Sequence, residues 1–296
     1  MSRPVAWDDQ RAFLAVLEEG SLSAAARRLG LTQPTVRVRL EALEAALKTV
    51  LFTRSANGLT PTEQARALGE SARAIARASD AFVRAASAPL GEIAGTVRIS
   101  VSELVGIEVI PSMLATLRTR HPQVVVELAL SDAAADLLDQ EVDIAVRMHQ
   151  PRQGALVAKK IGAIPLGFFA HVDYLAMRGE PAGIEDFIEH DFIGPDRVRA
   201  DLALAVAVHP GLTRGRFIVR TDSHPAQLAA ARAGMGIAVV QRPIGNADPT
   251  LGAVLPGLTV ALLETWIVTH ENLLGLPRVR AVYDHLVEAF AIFARS

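Results

Sequence analysis

The chain of 296 residues contains no cysteine, and only 5% of its residues are aromatic. Without cysteine there is no disulfide bond, no thiolate metal ligand and no cysteine nucleophile, and the composition fits a reducing compartment. The longest apolar runs, at 161–177 and 251–263, are short or interrupted by glycine, proline or charge. The amino terminus carries acidic residues where a secretory signal needs an apolar run. We therefore expect a cytoplasmic protein without a membrane span.

Sequence motifs of the common enzyme classes are also absent. The chain has no G-x-S-x-G nucleophile elbow, no HExxH zinc motif and no phosphate-binding loop. Gly234 and Gly236 form a lone G-x-G between a predicted helix and a predicted strand, the reverse of the order in a dinucleotide-binding loop. We therefore expect no catalytic residue, no cofactor and no metal site.

The charges are divided unevenly along the chain. Residues 1–90 hold 12 Lys and Arg against 9 Asp and Glu, whereas residues 91–296 hold 18 against 23. The amino-terminal part is therefore the better partner for a polyanion such as DNA, although the excess alone does not establish binding.

Asp8 can cap a first helix, whose Phe13, Leu14 and Leu17 are expected to face the core of the helix-turn-helix. Residues 21–47 then predict two short amphipathic helices joined by a tight turn. Ser21 can cap the first helix, and Gly30 can end it because glycine adopts positive φ without steric cost. Thr32 can cap the second helix, in which Pro34 lies in the first turn, where its missing N–H is harmless. Apolar residues recur at helical spacing: Leu22, Ala25, Ala26 and Leu29, then Val36, Leu40, Leu43 and Leu47. This arrangement is typical of a helix-turn-helix motif.

The amino end of the second helix carries polar side chains outside its apolar stripe. In helix-turn-helix proteins this end enters the major groove, where arginine can bind guanine and glutamine can bind adenine. We predict DNA contacts from Ser21, Ser23, Thr32, Gln33, Pro34, Thr35, Arg37, Val38, Arg39 and, to a phosphate, Arg54. The alternatives are an ordinary helical hairpin with solvated polar residues and, for Arg54, a surface arginine without a partner.

A wing and a long helix are predicted next. Residues 51–59 contain an Asn57-Gly58 turn between two extended arms, and residues 60–63 combine a capping box with a proline at the first helical position. Small and large residues then alternate at steps of three and four, which indicates a heptad seam. We predict that this seam pairs two copies of the chain through Ala65, Leu68, Ala72, Ile75, Ser79, Phe82 and Ala86. The alternative is a helix packed on its own domain.

From Thr96 onward, strand and helix alternate, which predicts parallel strands with crossover helices. Strands are predicted at 96–101, 124–130, 142–146, 156–160, 165–170, 217–220, 237–241 and 258–269, and helices at 107–120, 133–140, 172–177, 184–189, 223–233 and 277–294.

Ligands of such sheets bind at the carboxyl ends of the strands. The candidate ligand-binding residues at predicted strand ends are Ser102, Glu103, Ser131, Asp132, Arg147, His149, Asp222 and Ser223. They would suit a small anionic or polar molecule, with Arg147 as its charge partner. The alternatives are helix caps for Ser131 and Ser223 and a structural ion pair for Arg147.

The pattern F-x-x-V/A-x-E-x-GS-x-x-x-AA-x-x-L-x-x-TQP-x-V-x-x-x-L-x-x-LE, which runs from residue 13 to residue 44, resembles the DNA-binding domain of the LysR-type transcriptional regulators. LFTR (51–54) and LTPTE (59–63) resemble that family's wing and the start of its linker helix. Arg37 stands where the family usually has serine, Lys48 where it usually has glycine, and Glu63 where glycine is common. Because Arg37 departs from the pattern, no operator sequence can be carried over to this chain.

The carboxyl-terminal part resembles the family's effector domain, which is similar to a periplasmic binding protein of two α/β subdomains. The matching segments are VDIAVR (142–147), FFAHVDYLAMRGEP (168–181), AARAGMGIAVV (230–240) and WIVTH (266–270). The resemblance implies an α/β chain with a winged helix-turn-helix at 1–60, a linker helix at 61–90 and a doubly wound effector domain at 91–296. The effector domain would comprise one subdomain at about 95–165 plus 266–296 and another at about 166–265.

The function implied by the resemblance is sequence-specific regulation of transcription, modulated by a small molecule of unknown identity in the effector-domain cleft. The implied partners are double-stranded DNA with a pseudo-palindromic operator, the effector, further copies of the chain as a homodimer or homotetramer, and RNA polymerase. The alternative is a ligand-sensing module whose head does not bind DNA and acts only in assembly.

Overall fold

A computed structural model describes residues 4–55, 58–87, 91–131, 142–148, 150 and 156–296. Two compact units are present, one spanning Met1–Ala85 and the other starting at Ala86. The predicted linker helix therefore belongs to the first unit, which we call the head. The predicted boundaries at 60 and 90 and the two subdomains of the second unit remain predictions.

The head contains the three predicted helices, α1 (Trp7–Glu19), α2 (Leu22–Leu29) and α3 (Gln33–Leu47). The Ser21 Oγ accepts the Ala24 N–H at 3.2 Å, and Gly30 ends α2 with a φ of 64°. Two details differ from the sequence prediction. α1 starts at Trp7, so Asp8 lies in its first turn and does not cap it. Leu47 is exposed, because the buried stripe of α3 ends at Leu43.

The wing is an antiparallel hairpin of β1 (Phe52–Ser55) and β2 (Gly58–Pro61). Its predicted turn residue Asn57 lies outside the described residues. Glu44 on α3 fixes the start of the hairpin, because its Oε1 accepts the N–H of Leu51 at 2.6 Å and the N–H of Phe52 at 3.2 Å. The end of α3 and the wing are thus held as one element.

The long helix α4 spans Glu63–Ala85. Its cap is Thr62, whose Oγ1 accepts the Ala65 N–H at 3.2 Å. The predicted start was therefore about two residues early, because Pro61 pairs with Phe52 in the wing and does not open the helix.

As far as the chain is described, the second unit is built on a mixed sheet of seven strands: β3 (Gly95–Val101), β4 (Val124–Leu130), β5 (Ile144–Arg147), β6 (Leu156–His171), β9 (Ala238–Gln241), β10 (Leu251–Val254) and β11 (Ala261–His270). β3 is parallel to β4 and β5, as predicted, but β11 runs antiparallel to both β5 and β6. The two short strands predicted at 156–160 and 165–170 form the single 16-residue strand β6. A parallel pair, β7 (Phe192–Gly194) and β8 (Phe217–Arg220), forms a separate small sheet.

Seven helices of the second unit lie within the described residues: α5 (Glu103–Glu108), α6 (Ile110–Arg120), α7 (Val172–Arg178), α8 (Arg199–Val208), α9 (His224–Arg232), α10 (Arg242–Ala247) and α11 (Pro277–Phe293). The single helix predicted at 107–120 is two helices, and 184–189 is a 3-10 helix. The helix predicted at 133–140 lies outside the described residues. α8 and α10 were not predicted. No helix in the described ranges is long and apolar enough to cross a membrane.

Two apolar clusters form the core of this unit. The larger packs α6 and α11 against the strands around Ile99 and Ile144, and in the smaller the ring of Phe168 lies edge to face with those of Phe187 and Phe192. The second cluster lies beside the cavity described below.

Candidate functional site

The amino end of α3 presents an exposed surface. Gln33, Pro34 and Arg37 are exposed, and Val38 is 62% exposed although it is apolar. On the opposite face Val36 and Leu40 are buried in the head. The helix thus offers one polar donor, one cation and one apolar contact to a partner outside the head.

Several other predicted DNA-contact residues already have partners within the head. The hydroxyls of Ser21 and Thr32 serve as helix caps, and the Oγ1 atoms of Thr32 and the half-buried Thr35 lie 2.7 Å apart. Arg39 forms an ion pair with Asp8, with 3.1 Å between Nη2 and Oδ2. Ser23 on α2 is exposed.

Arg54 is exposed on β1, directly opposite Leu59 of β2. Glu44 joins the start of this wing to the carboxyl-terminal half of α3, so the strand that carries Arg54 is held to the helix.

The predicted heptad seam of α4 divides into two parts. Ala65 and Ala72 are buried in the head's own core, with Leu68 packed beside them. A Cβ added at Gly69 would lie 2.8 Å from Leu17 Cδ2, which shows how closely α4 approaches α1. The small residues that predicted close approach of a partner helix are thus used within the chain.

The carboxyl-terminal half of α4 leaves two large apolar side chains exposed in the single chain, although Arg84 near its end is buried. Ile75 is 40% exposed and Phe82 is 77% exposed, and they lie seven residues apart on one face. Ser79 is half-buried, and Ala86 lies just past the end of the helix.

The second unit contains a cavity of about 320 Å³. Its walls are mainly apolar and come from β6 and β7, from α8, and from residues beside and within β11. Among the predicted ligand-binding residues, Ser102, Ser131 and Arg147 line it. A volume near 300 Å³ is at the lower end of the range for small-molecule pockets.

Arg147 ends β5 and is buried at the cavity wall. Its Nη1 donates to the Ser100 and Val146 carbonyl oxygens at 3.2 and 3.0 Å, and its Nη2 donates to Ser100 Oγ at 3.1 Å. All three acceptors are neutral. Burial lowers the pKa of the Arg147 guanidinium, and no charged partner acts on it within the described part of the chain. The structure thus holds a buried cation that lacks a described counter-ion.

Three predicted ligand-binding residues, Glu103, Asp222 and Ser223, do not line the cavity. Asp222 instead accepts the backbone N–H groups of Asp196, Arg197 and Val198 at 2.9, 2.9 and 3.1 Å, and the bonds from Arg197 and Val198 lower the pKa of its carboxyl. It therefore anchors the segment that leads into α8.

Ser223 caps α9 by accepting the Ala226 N–H at 3.4 Å, which is the alternative given for it above. Glu103 lies in the first turn of α5 and is not among the residues that line the cavity. Asp132 and His149 lie outside the described residues.

Sequence reasoning missed four polar residues of the cavity, namely Asp201, His224, Gln227 and Gln241. His224 Nε2 lies 3.3 Å from Asp201 Oδ2, and Gln227 Nε2 donates to the Thr221 carbonyl at 2.7 Å. Gln241 ends β9, so the strand-end rule used for the other candidates could have found it. Asp201 lies on α8 and offered no such signal because α8 itself was not predicted.

Comparison with known proteins gives matches over most of the chain. Residues 7–66 match the family model described as bacterial regulatory helix-turn-helix protein, lysR family, and residues 90–291 match the LysR substrate binding domain. An HTH-type transcriptional regulator of Xanthomonas campestris is 28% identical over 301 residues, covering 95% of this chain and 84% of the relative. The regulator CbbR of Rhizobium meliloti is 28% identical over 290 residues, covering 94% and 91%.

Solved structures show the same fold. Full-length CbnR in complex with its target DNA aligns with a TM-score of 0.67 at 20% identity, covering 96% of this chain and 99% of that one. The Vibrio cholerae virulence activator AphB aligns with a TM-score of 0.61 at 21% identity, covering 96% and 99%.

The substrate binding domain alone covers more than half of the chain, and the helix-turn-helix match covers the head that presents α3. The chain belongs to the LysR-type transcriptional regulators and is a DNA-binding regulator whose activity a small molecule modulates.

Proposed function

We propose that the head binds the major groove through the exposed amino end of α3 and a flanking phosphate through Arg54. The observation that carries this proposal is the exposure of Gln33, Arg37 and Val38 on a helix whose opposite face is buried. Arg37 can bind guanine through two N–H groups, and Val38 can contact a thymine methyl group. Ser21, Thr32 and Thr35 support this surface by fixing the starts of α2 and α3.

The head acts as one half of a homodimer that is paired through the carboxyl-terminal half of α4. Ile75 and Phe82 leave apolar area in water on one face, and a second copy of the helix would cover it. A dimer with two-fold symmetry binds two half-sites, so its operator is expected to be pseudo-palindromic. Further assembly into a tetramer and contact with RNA polymerase remain predictions to which no described surface is assigned.

The cavity of the second unit is the effector site, and Arg147 binds an anionic group of the effector. A buried charge without a counter-ion is costly, and an incoming anion relieves that cost. A ligand shifts an equilibrium only by its different affinity for two states, so effector binding must favour one arrangement of the paired heads.

An electrophoretic mobility-shift titration with the DNA beside the protein's own coding sequence tests this function. We expect a sequence-preferring complex whose affinity falls steeply as salt increases, because phosphate contacts release counterions. A head that acts only in assembly would give no such complex, and that outcome would favour the ligand-sensing module instead.

A further inference from the structure

Over most of their area, the walls of the cavity offer a ligand no hydrogen-bond donor or acceptor. Leu166 and Phe168 of β6, Phe192 of β7, and Val260 and Leu263 beside and within β11 line one side. A polar metabolite bound there would lose its hydrogen bonds to water without replacement, at a cost of about 1–3 kcal/mol per group.

The helix α8 forms the other side of the cavity and is unusually apolar for a helix without a single buried residue. Leu204, Ala205 and Val208 line the cavity and are only half-buried. Asp222 holds the segment before α8 through three backbone N–H groups, so the helix is fixed over the cavity. Ala205 and Val208 touch the smaller apolar cluster but are not fully buried by it. An apolar ligand body would supply the missing packing.

Among the charged side chains at the described cavity wall, Arg147 is the one whose hydrogen-bond partners are all neutral. The Asp201 carboxylate already lies beside His224, whereas Arg147 has neutral acceptors alone. A carboxylate matches the fork of N–H donors that a guanidinium presents. One anionic group is therefore what this wall can bind.

We propose that the effector is a monocarboxylic acid with an apolar aliphatic or aromatic body, its carboxylate at Arg147 and its body against α8. This inference rests on the proposed function, since it assigns a chemical class to the same cavity. One water molecule takes about 30 Å³ in the liquid, so the 320 Å³ cavity has room for roughly ten waters, or for a ligand of about ten non-hydrogen atoms. Octanoate has this size.

Isothermal titration calorimetry of the full-length protein with butanoate, hexanoate, octanoate and the neutral octanamide tests the assignment. We expect Kd to fall about fourfold for each added methylene, the equivalent of about 0.8 kcal/mol, and octanamide to bind at least tenfold more weakly than octanoate. Equal affinities along the series, or equal affinities of acid and amide, would overturn the proposed class.

Two substitutions on α8 separate cavity binding from adventitious binding at the surface. Ala205→Leu adds volume inside the cavity and should shift the optimum to a shorter acid, whereas Ala203→Leu adds it on the exposed outer face and should change nothing. Arg147→Met should remove the preference for octanoate over octanamide while both still bind. If Arg147→Met does not fold, Ala205→Leu and Ala203→Leu still test whether the acid binds in the cavity. Equal effects of these two substitutions would overturn the proposal.

Failure of the proposed ligand class can be distinguished from failure of the proposed function. A sequence-preferring DNA complex together with no carboxylate binding would reject the ligand class and leave the regulator intact. Carboxylate binding that follows the chain length, together with no effect of octanoate on any DNA complex, would support the class and reject the coupling.

Discussion

At the scale of single residues, the ends of the helices in the head depend on residues that can adopt positive φ. Gly30 ends α2 at positive φ without cost, but Lys48 ends α3 with a φ of 54°, at the position where the family usually has glycine. A side chain in this left-handed region costs roughly 1 kcal/mol.

We expect Lys48→Gly to stabilise the head by about 0.5–1 kcal/mol because it removes this cost. The measurement is urea unfolding in a Trp266→Phe background, in which Trp7 is the only tryptophan and reports on the head. Lys48→Ala removes the long side chain but keeps a Cβ at positive φ, so it should change little. A gain of the same size from alanine would assign the cost to the lysine side chain instead of the backbone.

Arg37 and Arg54 should differ in how their loss affects DNA binding. Arg37→Ala should cost roughly 1–3 kcal/mol at one or two base positions, because it removes contacts to base edges. Arg54→Ala should weaken binding to all sequences alike and reduce the salt dependence. Binding of the two variants to a set of single-base operator variants checks this, and a uniform loss for Arg37→Ala would make it a phosphate contact.

At the scale of elements, the wing and α8 are each positioned by one carboxylate. Glu44 accepts two N–H groups at the start of the wing, and Asp222 accepts three N–H groups before α8. Neither role was predicted, because a hydrogen bond from a side chain to the backbone of a different element leaves no periodic pattern in the sequence.

We expect Glu44→Ala to destabilise the head by about 1–3 kcal/mol, because the N–H groups of Leu51 and Phe52 lose their acceptor close to the core. It should also weaken DNA binding uniformly, since the wing would no longer hold Arg54 beside α3. Glu41→Ala removes the same charge from an exposed position of α3 and is the matched control. Equal effects of both substitutions would point to a general charge effect and contradict the role of Glu44.

The Asp222 carboxyl should titrate below the ordinary aspartate value of 3.8, because the backbone N–H groups of Arg197, Val198 and Asp196 stabilise its charged form. Because the folded pKa is lowered, the contribution of Asp222 to stability is complete above the ordinary value of 3.8 and is lost as the pH falls through the folded pKa. Carboxyl chemical shifts followed by NMR check the midpoint. Asp222→Asn should speed hydrogen exchange at Arg197 and Val198 near neutral pH, and unchanged exchange would contradict the anchoring role.

The sequence predicted elements well where local signals agree. Ser21, Gly30 and Thr32 mark the ends of α2 and α3, and β8 has the predicted ends, 217 and 220. α8 was missed because its apolar residues have no clear helical period, since the helix covers a cavity and buries no side chain. The strand-end rule found Arg147 and Ser102 at the cavity, but it also selected Asp222, whose hydrogen bonds turn it toward the segment before α8.

At the scale of the whole molecule, α4 carries two different contacts. Its amino-terminal half is packed on α1 through Ala65 and Ala72, and its carboxyl-terminal half leaves Ile75 and Phe82 exposed. The heptad pattern alone could not separate these roles, because small residues favour close approach of any helix, including one from the same chain. The proposed dimer therefore depends on half of the predicted seam.

The most direct test of the account is the affinity of the protein for operator DNA together with its mass in sedimentation, for the natural chain, Phe82→Ser and Asp80→Ser. Asp80 is exposed on α4 but lies about 200° around the helix from Phe82. We predict that the natural chain and Asp80→Ser bind as dimers. Phe82→Ser should become monomeric and lose at least tenfold in affinity for the operator, because one head contacts only one half-site. A dimer of unchanged operator affinity with Phe82→Ser would contradict the pairing of two α3 helices through α4.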